Sequence, residues 1–164
     1  MGASRLTVQL YLIRHAIAIE ATPEQPDDAR PLSQEGIQKF REVVQGLKRL
    51  GVVLDRLYHS PKLRAVQTAE LLVPLLDGET EVTPYLAAEP SLELLKTLQG
   101  SSVALVGHEP WISDLCAWLI IGRQEGHSLP FKKGGVAYLE GTPEPGGMRL
   151  LGFWSPKLLR RLGQ

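Results

Sequence analysis

The sequence predicts an α/β fold in three layers, with a mixed, mostly parallel sheet flanked by helices. Two observations carry that expectation. Three times along the chain a short apolar run meets a basic residue or histidine and then gives way to helical spacing. After the third unit, two further apolar runs are joined by a Pro/Gly turn, as in an antiparallel closing pair.

The first unit opens with Thr7 to Ile13, rich in Val, Leu, Ile and Tyr and apolar enough to be buried on both faces. It ends in Arg14-His15. A polar loop with Pro23, Pro26 and Pro31 follows, and Ser33 is placed to cap a helix. The apolar stripe of that helix is Ile37, Phe40, Val44 and Leu47, and Gly51 stops it. In the second unit Val52 to Tyr58 reads as a strand, Ser60 as a cap, and Pro61 as a first-turn residue. Leu63, Val66 and Glu70 keep helical spacing to about Pro74. A weaker helix is read around Ser91 to Leu98. In the third unit Val103 to Val106 is the strand, Gly107-His108-Glu109 the turn, and Pro110 the opening of a helix carrying Trp111, Leu115, Trp118 and Leu119. Val136 to Leu139 and Leu150 to Trp154 are the closing strands, joined by the turn from Thr142 to Gly147. Lys157, Arg160 and Arg161 read as a basic, solvated tail.

At 164 residues the chain fits one domain, 1–164, with no repeat and no low-complexity segment. Its 18 basic residues balance 18 acidic ones, which argues against bulk attraction to nucleic acid or a membrane. Cys116 is the only cysteine, so no internal disulfide is possible. The opening MGASRLTVQLYLIRH is interrupted by Arg5, Gln9 and Arg14, and Leu6 stands where a myristoylation motif needs Ser or Thr. A cytoplasmic address is expected.

In open α/β sheets the ligand sits beyond the carboxyl ends of the strands. That rule puts Arg14, His15, Arg64 and His108 on one edge, with helix N-termini near Pro61 and Pro110 aimed the same way. Such ends favour anions. Two arginines offer planar forks to oxygen, a neutral imidazole can attack phosphorus, and a second imidazole can hydrogen-bond the group in transfer. Other chemistries fit poorly. Cys116 lies mid-helix among apolar residues, no GxxxxGK[ST] loop exists, and four scattered histidines with one cysteine give no zinc spacing.

The stretches YLIRHA (11–16), RPLSQEG (30–36), SPKLRAVQTAELL (60–72) and VGHEP (106–110) resemble the histidine phosphatase superfamily. Chain length and motif order resemble its compact SixA-type phosphohistidine phosphatase branch. The resemblance implies a phosphoglycerate mutase-like fold and catalysis without metal or other cofactor. His15 would be the nucleophile, Arg14 and Arg64 the phosphate-binding arginines, and His108 a hydrogen-bond donor to the phosphoryl group. Two departures stand out. Ala16 replaces the commoner glycine after the nucleophile, and Glu89, in YLAAEPSLE (85–93), is the only candidate for the proton donor of larger relatives.

Around this core, Arg30 reaches either the pocket or Asp28, and Arg14 and Arg64 have Asp27, Asp28 and Glu20 as alternative partners. His59 is read as a helix-entry or surface residue, His127 as solvated, Lys132 and Lys133 as a solvated strand entry, and Trp111 and Trp118 as packing. The expected function is a phosphatase working through phospho-His15 on a phosphohistidine-bearing protein. A small phosphorylated metabolite (sugar, nucleotide or cofactor-precursor phosphate) is the alternative substrate. A catalytically silent phosphate-binding module is the alternative of another class.

Overall fold

The computed structural model describes residues 7–164. The reading of Met1 to Leu6 as lacking a leader and a lipidation signal therefore lies outside the described residues. The elements in chain order are β1 (Val8–Arg14), α1 (Gln34–Arg49), β2 (Leu54–His59), α2 (Leu63–Leu72), β3 (Leu76–Val82), α3 (Leu92–Thr97), β4 (Ser102–Gly107), α4 (Trp111–Ile121), β5 (Val136–Gly141), β6 (Met148–Trp154) and α5 (Pro156–Leu162).

The six strands form one sheet in the order β3-β2-β4-β1-β5-β6. β3, β2, β4 and β1 run parallel, β5 is antiparallel to β1, and β6 is antiparallel to β5. The central strands are buried on both faces because their apolar residues do not alternate with polar ones. Tyr11 and Ile13 of β1, with Ala104 and Val106 of β4, join a core with Phe40, Leu47, Ala65, Leu72 and Leu159 from α1, α2 and α5. Leu10, Leu12, Val103 and Leu105 face the other way and pack with Leu94, Ile112, Leu115 and Leu119 from α3 and α4. The expected mixed sheet between helices is the observed architecture, and the three parallel crossovers bring the ends of β1, β2 and β4 together.

Local signals hold at α1, where Ser33 Oγ accepts from Gly36 N at 2.9 Å and Gly51 takes a φ of +81° beyond the last turn. Gly36 is required for a further reason. A Cβ there would collide with the carbonyl of Ile17, so this glycine lets α1 press against the chain just after His15.

Two readings are corrected and one strand went unread. α2 begins at Leu63 with Lys62 as its cap residue, so Ser60 is no helix cap and Pro61 no first-turn residue. β3 falls on LDGETEV, which carries no apolar pattern because it is an exposed edge strand paired only with β2. The basic tail is a helix, capped by Ser155, whose Leu159 is fully buried against α1 and whose Arg160 pairs with Glu42 at 3.1 Å. No helix among the described residues is long and apolar enough to cross a membrane.

Candidate active site

His15 is the residue immediately after β1, and His108 the residue immediately after β4, its parallel neighbour in the sheet. Strand pairing therefore sets the two imidazoles side by side. Their ring centroids are 5.1 Å apart and both side chains are buried. Arg14 is the last residue of β1, and Arg64 lies in the first turn of α2, which follows β2 on the other side of β4. Arg64 is 5% exposed, and its charge, like that of Arg14, reaches His15.

The hydrogen bonds fix how these groups present themselves. His15 Nδ1 lies 2.7 Å from the carbonyl of Ala16. A carbonyl only accepts, so Nδ1 carries the proton and Nε2 keeps its lone pair. Burial, and after it the charges of Arg64, Arg14 and Lys133, pull the His15 pKa down from 6.5 to about 4 against the opposing bond to Ala16. His108 is pulled to about 3, by burial first and then by His15, Arg64 and Lys62, with Asp27 opposing. Both imidazoles are neutral at pH 7.

Supporting residues hold this arrangement. Thr68 Oγ1 accepts from Ala16 N at 3.0 Å and donates to the carbonyl of Arg64 at 2.7 Å, tying the His15 loop to α2. His108 Nε2 shares a 2.7 Å hydrogen bond with buried Ser60 Oγ. Arg14 Nη1 donates to the carbonyl of Phe131 at 2.7 Å, and Phe131 N donates to Glu109 at 3.1 Å. Asp27 gathers three cations: Arg64 Nη2 at 3.3 Å, Lys62 Nζ at 3.2 Å and Arg30 Nη2 at 3.1 Å. Its own partial burial opposes ionisation, but the Lys62 hydrogen bond and the Arg64 and Lys62 charges outweigh it and draw the carboxyl down to about 2. Arg14 Nε, Arg64 Nε and His108 Nδ1 are buried polar atoms without a hydrogen-bond partner among the described residues. Native interiors seldom leave such groups unmet, and a site for an oxyanion is one reason to do so.

The structure thus brings Arg14, His15, Arg64 and His108 together. Arg30 is spent on Asp27, not Asp28, and on the carbonyl of Ile19 at 2.8 Å. Glu89 is exposed, while Ala88 and Pro90 on either side of it line a recess beside His108. Ala16 needs no glycine conformation, since no residue other than glycine has positive φ among the described residues. Trp111, read as packing, meets His108 edge-on at 6.5 Å and lies under Lys62 Nζ at 5.8 Å. His59 is buried and donates Nδ1–H to the carbonyl of Ser60 at 2.9 Å, so it is not a surface residue. Cys116 is buried, and burial pushes its thiol up to about 12, as befits a small apolar filler. Sequence reasoning missed Ser60 and Thr68. Ser60 was hidden by its resemblance to a cap, and Thr68 by lying four residues after Arg64 on an ordinary helix face. Among the described residues no group of three or more His, Cys, Asp or Glu is arranged to hold a metal ion.

Known proteins resemble this chain in sequence and in fold. The family model of the histidine phosphatase superfamily (branch 1) matches residues 10–89. The chain is 31% identical to the phosphohistidine phosphatase SixA of Escherichia coli K12, over 71% of this chain and 76% of that one. In three dimensions it is similar to the protein histidine phosphatase SixA solved with tungstate, with a TM-score of 0.75 and 26% identity over 92% of this chain and 98% of that one. A phosphoglycerate mutase from Bacillus anthracis shares the fold, with a TM-score of 0.69 at 15% identity over 97% of this chain and 98% of that one.

Proposed function

This chain belongs to the histidine phosphatase superfamily and is a phosphatase, and from that premise we propose that it removes phosphate from phosphohistidine on a protein through a covalent intermediate at His15. One observation carries the mechanism: His15 is neutral, with its proton committed to the Ala16 carbonyl, its Nε2 left with the lone pair, and the charges of Arg64 and Arg14 and the ring of His108 close by.

The lone pair of Nε2 attacks phosphorus, and the bond from phosphorus to the leaving nitrogen breaks as that nitrogen takes a proton. Phosphorylation leaves positive charge on the His15 ring, which the Nδ1–H bond to Ala16 stabilises. Water then attacks phospho-His15, freeing inorganic phosphate and restoring the imidazole. Negative charge on the phosphoryl oxygens is met by the guanidinium groups of Arg14 and Arg64. His108 completes the cradle: with the Ser60 hydroxyl donating to Nε2, the proton of His108 sits on unpartnered Nδ1, ready for an oxygen. Tungstate is an oxyanion, and its presence in the SixA complex fits this assignment.

The choice of phosphohistidine rests on the leaving group. An alkoxide leaves badly without a positioned acid, whereas an imidazole departs with a proton from solvent. Glu89, the candidate acid, is exposed and makes no hydrogen bond or ion pair among the described residues. Side-by-side kinetics on a phosphohistidine protein and a panel of phosphorylated metabolites test this reading. The phosphohistidine protein is expected to show the much higher kcat/KM, with Glu89→Gln nearly without effect. A metabolite phosphate that is hydrolysed faster, and whose hydrolysis Glu89→Gln abolishes, would reverse the assignment.

A further inference from the structure

The chain that follows His15 has a second side. Behind Ala16 lies a cavity of about 130 Å³, with buried Phe40 on its apolar wall and Lys39, Lys133, Lys157 and Arg160 around it. Two of these cations are already satisfied, Lys39 by Glu35 at 2.6 Å and Arg160 by Glu42 at 3.1 Å. Lys133 and Lys157 are exposed and make no ion pair among the described residues. The topology turns this cavity toward the active-site edge. β6 runs in the same direction as β1, so α5, which carries Lys157, starts at the edge where β1 delivers His15, and β5 starts there beside Lys133. Lys133 is near enough for its charge to act on His15.

An apolar wall beside two unpaired ammonium groups suits a carboxylate on a short methylene stem. Because Ala16 both lines the cavity and adjoins His15, the two sites lie within reach of one extended peptide, which spans about 3.3 Å per residue. We propose that this cavity anchors an acidic side chain of the protein substrate, a few residues from its phosphohistidine. The proposal rests on the phosphohistidine reading above.

Lys157→Glu tests it. Lys157 lies in the first turn of α5, where an acidic residue is favoured, so the variant is expected to fold. Two synthetic phosphohistidine peptides, identical except for Glu or Lys near the phosphorylated residue, are compared on both proteins. The native chain is expected to favour the acidic peptide about tenfold in KM at similar kcat, and Lys157→Glu to lose or invert that preference. Hydrolysis of a small aryl phosphate is expected to be unchanged. A preference that survives in Lys157→Glu, or an equal loss on the aryl phosphate, overturns the anchor. If neither peptide is hydrolysed while the aryl phosphate is, the phosphohistidine reading fails instead. The anchor is then judged on the unphosphorylated acidic peptide, which is expected to shift the amide resonances of Ala16 and Gly134 in the native chain only. The absence of those shifts overturns it.

Discussion

At the scale of single residues, the site is an exercise in keeping two histidines neutral. Burial and three neighbouring cations hold His15 near 4, well below its ordinary 6.5. The proposed nucleophile keeps its lone pair until the pH nears that value, so kcat/KM is expected to stay level as pH falls through 6.5 and to drop only toward about 4. Half-loss at 6.5 would show that His15 is not shielded as described. The same shifts act on stability. From pH 6.5 down to about 4 for His15 and about 3 for His108 the unfolded chain binds protons that the folded chain refuses, so stability falls across that window and the urea midpoint falls with it. Arg64 was legible from its motif, and Asp27 was one of three carboxylates read as its alternative partner. Asp27 grips it through the backbone carbonyl at 2.9 Å and the carboxylate at 3.3 Å, which uses two guanidinium nitrogens at once. A lysine keeps the charge and loses that fork, so Arg64→Lys is expected to lower kcat at least about tenfold. A variant with the native rate would make Arg64 structural.

At the scale of elements, legibility tracked burial. β1 and β4 were readable because both faces are covered along Leu10 to Ile13 and Val103 to Val106, which are apolar throughout. β3 was not, because an edge strand of Asp, Gly, Glu and Thr has no core to face. α5 was hidden by its charges, since Lys157, Arg160 and Arg161 mask the single inward position at Leu159. Gly46 shows how close the fit is there: a Cβ at this position would collide with the carbonyl of Leu159. Leu159→Ala leaves a void in that seam and is expected to cost about 2–5 kcal/mol in urea denaturation, with kcat nearly unchanged. A cost under about 0.5 kcal/mol would mean that α5 is the loose tail suggested by its composition. The ends of α2 show a different limit. Ser60 and Pro61 carry helix-start chemistry, yet the turn is used to bring Ser60 Oγ to His108, a contact across 48 positions in the chain that no local pattern encodes.

At the scale of the whole molecule, the sheet order does the assembling. β4 lies between β1 and β2, so the loops after all three converge although they are far apart in sequence. The four motif residues were legible because each sits at such a strand end or in the helix turn beyond it. The supporting contacts of Thr68 and Phe131 were not, because they depend on how loops cross above the sheet. The central claim is that this assembly passes phosphate through His15. Rapid quenching during turnover of a phosphorus-labelled substrate, followed by peptide mapping, tests it most directly. Acid-labile, base-stable label on His15 is expected in the native protein, with no label and no turnover in His15→Ala. Full activity in His15→Ala, or label on another residue, would contradict the account.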